Sequence, residues 1–161
     1  MIIRPATIHD AAAIRDIYNY YVLNTTISFE ENLVGIEEMQ NRIAQHKPEL
    51  PWLVCVDEEQ VLAYAYATPW RVRSAYRFSV ETTVYVAREQ IGKGLGTQLY
   101  RTLIDQLRSL QLHSAIAGIA LPNQGSVALH ESIGFKKVAE FEEVGMKFDE
   151  WVNVGYWQLL L

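Results

Sequence analysis

Glu81 interrupts the β-branched run Phe78-Ser-Val-Glu-Thr-Thr-Val-Tyr-Val-Ala87. Strand propensity disfavours a carboxylate there. Burial would push its pKa upward, toward what a general base needs near neutral pH. An outward-facing side chain or an ion pair with an arginine would explain the residue without chemistry. Just upstream, Arg71 and Arg73 stand two residues apart between Trp70 and Tyr76. Two guanidinium forks on one loop can clamp a carboxylate, or form a solvated basic loop.

A second stretch is built to meet an anion. Val84-Tyr-Val-Ala-Arg-Glu-Gln-Ile-Gly-Lys-Gly-Leu-Gly-Thr97 reads as strand, glycine turn and amphipathic helix in that order. Gly92, Gly94 and Gly96 let backbone approach a ligand, and the first-turn N–H groups of the helix, around Leu95 and Thr97, lack partners. Such an end attracts negative charge, and Lys93 adds a point charge. A pyrophosphate fits. The spacing G-x-G-x-G is neither the dinucleotide fingerprint nor a Walker motif, and a glycine-rich helix entry serving packing is the plain alternative. His130 lies on a short helix after Asn123, as either a packing histidine or a proton carrier; Asn123 alone reads as an Asx turn.

These residues need a scaffold, and 161 residues suffice for one domain with one sizeable core. Half the residues are hydrophobic and 20% charged, the composition of a folded chain. With 14 basic against 19 acidic residues, the net charge of −5 disfavours a nucleic-acid binder. No apolar run approaches a membrane span, and the N-terminus carries Arg4 and Asp10 where a secretory signal would be apolar. Cys55 is the only cysteine, so no intrachain disulfide forms and a cytoplasmic setting is expected. His9, His46, His113 and His130 lack metal-ligand spacing, so no metal is expected.

Periodicity predicts a strand at Met1–Ala6 and a helix from the Thr7/Asp10 capping box to about Leu23, with Ile14, Ile17, Tyr18 and Tyr21 on its buried face. A polar turn containing Ile27 and Phe29 leads to a helix at about Ile36–Gln45. A hairpin of Trp52–Val56 and Val61–Thr68 precedes the central strand, Phe78–Ala87. Then come a helix at about Leu95–Leu110 with a leucine stripe at 99, 103, 107 and 110, and a buried strand at Ala115–Leu121. A helix at Gln124–Ile133 capped by Gly134 follows, and strands Lys137–Phe148 and Val152–Leu160 close the chain.

Gly94-Leu95-Gly96 at a helix start, then Asn123 after a strand and Gly134-Phe135 after a helix, resemble the motifs of the GNAT superfamily of acyl-CoA-dependent N-acetyltransferases. The superfamily's Gln/Arg before the glycines falls on Ile91. Trp70–Tyr76, Val80–Val86, Leu129–Phe135 and Val154–Gln158 narrow the likeness, over essentially the whole chain, to phosphinothricin and methionine sulfoximine N-acetyltransferases.

The resemblance implies an α/β (α+β) fold: a mixed, mostly antiparallel sheet of about seven strands with about four helices on both faces, as a single domain over residues 1–161. It implies acetyl-CoA as donor and the α-amino group of a small amino-acid analogue as acceptor. Glu81 would be the base. His130 stands where many members have a tyrosine acting as acid toward the thiolate. Backbone groups of Val84, Tyr85 and Val86, on a strand bulge, would bind thioester and pantetheine, with Asn123 and Ser132 along the same arm. Arg71, Arg73 and Tyr76 would hold the carboxylate or a phosphinate or sulfone oxygen, and Phe29 would wall the pocket. A homodimer is typical. Other acceptors, such as another small amine or a protein N-terminus, and a non-catalytic acyl-CoA sensor are the competing functions. Cys55, embedded in an alternating strand, is a poor acyl-enzyme nucleophile.

Overall fold

In a computed structural model covering residues 1–161, the elements follow as β1 (Ile2–Pro5), α1 (Ala11–Asn24), α2 (Ile36–Ala44), β2 (Trp52–Asp57), β3 (Gln60–Pro69), β4 (Ser79–Val86), α3 (Leu95–Ser109), β5 (Ser114–Leu121), α4 (Gln124–Ile133), β6 (Lys136–Lys147) and β7 (Glu150–Leu160). The strands form one seven-stranded sheet in the order β1-β2-β3-β4-β5-β7-β6. Only β4 and β5 run parallel. The expected mixed, mostly antiparallel sheet with four helices is therefore what forms.

Alternation along the strands sends side chains to two cores. One side carries α3, whose Leu99, Leu103 and Leu107 bury against Ala63, Ala65, Ala67 and Val80. Truncating one such leucine to alanine costs about 2–5 kcal/mol. Leu110 falls outside this stripe and is 48% exposed, because α3 ends at Ser109. The other side carries α1 and α2, with Ile14, Ile17, Tyr21 and Met39 packed on Val54, Val61 and Tyr64. The capping box forms, but over a 3-10 turn at Ile8–Asp10 that precedes α1. Arg4 reaches both carboxylate oxygens of Asp10 at 2.8 and 2.7 Å.

The feature that makes room for chemistry lies between the parallel strands. β4 and β5 pair only from Ser79–Ser114 to Glu81–Ile116. β4 stays registered on β3 as far as Val86, and β5 stays on β7 as far as Leu121. The two strands diverge beyond Glu81, and a gap opens in the middle of the sheet. The bulge expected in β4 is not formed; its register on β3 is unbroken from Val80 to Val86. Divergence from β5 frees the backbone donors instead.

Candidate active site

Glu81 sits where the β4–β5 ladder ends, on the α1 side of the sheet. Its neighbour Thr82 faces the other side, with Oγ1 bonded to the buried Tyr100 hydroxyl of α3 at 2.6 Å. No side-chain hydrogen bond or ion pair engages the Glu81 carboxylate within the chain. The structural ion pair that would have explained the residue is absent. Burial raises its pKa, and the positive charge of Arg71 draws it partly back. A half-buried, unpaired carboxylate of raised basicity is suited to proton transfer.

Two rows of backbone donors face this region. At the ends of β4, Trp70 N bonds Ser79 O and Ala87 N bonds Leu62 O on the β3 side. Amides alternate along a strand, so Tyr85 directs its amide to β3 while Val84 and Val86 direct theirs into the gap. Of the three expected backbone contacts, Tyr85 is thus committed to the ladder. Its ring packs edge-on to Tyr18 at 5.3 Å. At the open end of the gap, α3 begins after Gly94, which adopts the left-handed conformation at φ 81°. Gly92 does the same at φ 82°. The amides of Leu95, Gly96 and Thr97 find no acceptor in the chain. Gly96 has a packing reason instead: a Cβ there would lie 3.1 Å from both Leu129 Cδ1 and Val86 Cγ2. Lys93 is exposed, with Nζ on Gln90 Oε1 at 3.1 Å. Three uncapped amides next to an open gap fit a diphosphate followed by an extended arm.

His130 is 4% exposed and lies on the opposite side of the sheet from Glu81. Its ring packs edge-on to Tyr100 at 4.9 Å and Phe135 at 5.2 Å. Nδ1 bonds Ser126 O at 2.7 Å, so it carries the proton and Nε2 keeps a free lone pair. Burial lowers the pKa and favours this neutral form. Glu81 and His130 are therefore not brought into contact. Asn123 caps α4, its oxygen accepting from Ser126 N at 3.1 Å; the Asx function is real, and its amide NH2 remains unused. Ser132 bonds Leu129 O at 2.7 Å and faces a small cavity of about 200 Å³ with Arg101 and Arg108, between α3 and α4.

On the Glu81 side, the Arg71 guanidinium stacks on Trp70, 4.1 Å from the ring centroid. Trp70 meets Tyr156 edge-on at 5.8 Å. Arg73 and Tyr76 are exposed on the same loop, and Arg73 makes no side-chain bond within the chain. Phe29 lies across Gly145 of β6, where a Cβ would overlap its ring. Two further residues belong here. A Cβ on Gly118 of β5 would lie 3.2 Å from Tyr156 Cε1 and 3.8 Å from Glu81 Oε1. Tyr156 and Glu81 thus meet over Gly118. The available signal was a glycine in mid-strand, which marks close approach. A cavity of about 580 Å³ lies elsewhere, beside His46, Trp52 and the C-terminal end of α3.

A sheet split between parallel strands, with uncapped helix amides at the mouth and an unpaired carboxylate at the inner end, is the scaffold of an acyl-group transferase. The chain matches the family described as acetyltransferase (GNAT) domain over residues 3–154, and it belongs to that family. It is 38% identical to a phosphinothricin N-acetyltransferase of Streptomyces coelicolor, over 97% of this chain and 94% of the other. It is also 38% identical to an L-methionine sulfoximine/L-methionine sulfone acetyltransferase of Salmonella typhimurium, over 100% and 95%. A solved phosphinothricin acetyltransferase from Sinorhizobium meliloti, in complex with AcCoA, superposes with a TM-score of 0.95 at 33% identity, covering 99% of this chain and 88% of that one. The protein is an N-acetyltransferase.

Proposed function

We propose that the protein transfers the acetyl group of acetyl-CoA directly, in a ternary complex, to the α-amino group of a small amino-acid-like acceptor. Phosphinothricin, methionine sulfoximine and methionine sulfone are the candidates. The observation that carries the proposal is the unpaired Glu81 carboxylate at the inner end of the β4–β5 gap.

The thioester supplies an electrophilic carbonyl, and the rest is done by the chain. Leu95, Gly96 and Thr97 donate amides to the diphosphate, beside Gly92, Lys93 and Gly94. Val84 and Val86 donate from the gap edge, and the Asn123 NH2 and Ser132 serve the pantetheine arm. A preorganised donor of this kind is worth about 10²–10³ in rate. An α-ammonium group is mostly protonated near neutral pH, so Glu81 takes a proton from it, directly or through water. Attack releases a second amine proton, while the departing sulfur needs one; His130 Nε2 is the group for that exchange. Arg71 and Arg73 hold the acceptor's acidic oxygens, with Tyr76 and Phe29 as walls.

Exposed Val138, Phe141, Val144 and Met146 on the edge strand β6, with Trp151 on β7, favour a homodimer across that hairpin. The single buried thiol suits a reducing cytoplasm. The test of function is thiol release with a panel of amino acids, polyamines and peptides. Turnover confined to peptides or polyamines would refute the acceptor class. Acetyl-CoA binding without any product would leave a non-catalytic sensor.

A further inference from the structure

Lys147, the last residue of β6, is 1% exposed and has no carboxylate within ion-pair distance. Its Nζ donates instead to two backbone carbonyls, Val22 O and Ser28 O, each at 2.7 Å. Val22 O is one of the last carbonyls of α1, which have no partner within the helix. The lysine therefore caps α1 and, with the same atom, fixes the segment that follows it.

That segment crosses the sheet. Tyr21 on α1 is tied to β4, its hydroxyl donating to Val86 O at 2.5 Å. Within a few residues the chain is held on β6, two strands beyond β5 in the sheet order. It then returns, and Val34 exchanges two bonds with the Asn19 side chain on α1. Residues 25–33 thus span the open end of the β4–β5 gap on the Glu81 side. Gly145 marks the landing point. It pairs with Val152 on β7, one residue from Asn153, which pairs with Leu121 at the open end of β5. The Phe29 ring lies on Gly145, within 2.5 Å (at Cζ) of where a Cβ would be. Gly145 and Lys147 share one face of β6. One gives the ring its seat and the other grips the backbone beside it.

We infer that Lys147 is a positioning residue that fixes the 25–33 segment across the gap and so sets the acceptor-side wall formed by Phe29. This role rests on the acetyl-transfer function proposed above. Neither carbonyl is a reacting atom, so Lys147 acts through the loop alone.

The test compares Lys147→Met, Gly145→Ala and Phe29→Ala in steady-state acetylation of methionine sulfoximine, with acetyl-CoA affinity by calorimetry. Each of the three should raise KM for the acceptor about tenfold, with acetyl-CoA Kd changed less than about twofold, as expected for a lost acceptor contact. Adding Phe29→Ala to Lys147→Met should cost less than about twofold more, since coupled residues are not additive. Unchanged acceptor KM in folded Lys147→Met and Gly145→Ala, or an equal loss of acetyl-CoA affinity, would overturn the role. Hydrogen exchange of the amides at 25–33 separates this from failure of the function itself. If the parent acetylates none of the amino acids, faster exchange in Lys147→Met still supports the anchor, and unchanged exchange rejects it.

Discussion

Gly94→Ala isolates the contribution of the α3 terminus to coenzyme binding. Gly94 is left-handed at φ 81°, and a Cβ there would meet no atom within 4 Å. The substitution is thus sterically silent, and its cost lies in the backbone alone, about 1–2 kcal/mol for an L-residue in this conformation. In the free protein the turn can relax and escape part of that strain. If the coenzyme diphosphate must find the Leu95, Gly96 and Thr97 amides in their present orientation, binding restores the strain and the cost appears in Kd. The conversion is about 5- to 30-fold weaker acetyl-CoA binding. Calorimetry with acetyl-CoA and with acetyl-pantetheine, which lacks the diphosphate, is the assay. Acetyl-pantetheine affinity should not change. Gly35→Ala, with open space and no positive φ at that glycine, is the control and should leave both affinities alone. Equal losses for the two ligands, or none for acetyl-CoA, would refute the diphosphate assignment.

Three other perturbations address the acceptor side. Glu81→Gln should lower kcat by about 10²–10⁴, the usual worth of general base catalysis, with acetyl-CoA affinity retained in calorimetry. Because burial raises the Glu81 pKa in the folded state, that state holds its proton more tightly than the unfolded chain does. The wild-type protein therefore loses stability as pH rises from the ordinary carboxylate range through the raised value. Glu81→Gln should be more stable than the parent at neutral pH, and the two should converge in acid denaturation near pH 4. Arg71→Ala should raise acceptor KM about tenfold or more through lost charged hydrogen bonds, and more than Arg73→Ala, since only Arg71 acts on Glu81. Gly118→Ala should destabilise by about 1–3 kcal/mol through overpacking, with kcat/KM down about tenfold, as Tyr156 or Glu81 must give way; urea melts and kinetics would read both.

Strands and helices were legible because their periodicities are carried by buried residues. Leu99, Leu103 and Leu107 announce α3, and Gly134 closes α4 at φ 110°. The unpaired amides at the glycine turn were legible because they follow from any helix start. Non-local geometry was not legible. That β4 parts from β5 after Glu81 depends on where one pairing, between residues 35 apart in the chain, stops, and nothing in Thr82–Val86 signals it. Gly118 and Tyr156 meet Glu81 only because β5 pairs with β7 in a register that sets Gly118 opposite Tyr156. Lys147 was equally hidden, for its two acceptors are backbone carbonyls more than 100 residues away.

The split sheet also bears on how, in the proposed reaction, a carboxylate and an imidazole would serve one transfer without touching. Side chains alternate across β4, so Glu81 looks toward α1 while Thr82 bonds Tyr100, the ring against which His130 packs. Were the sheet continuous, these would be two separate interiors. The gap beyond Glu81 is the one break between them in the sheet. In the proposed transfer an amine held beside Arg71 and Trp70 would meet Glu81, and a thiol leaving toward α4 would meet the His130 ring, whose Nε2 carries the free lone pair. A close cation would lower the basicity of Glu81; Arg71, stacked on Trp70, acts on its charge without bonding to it. The proposed mechanism thus assigns its two proton tasks to opposite sides of the sheet: burial raises the basicity of Glu81 on one, and on the other it keeps the His130 ring neutral and able to take up a proton and return it.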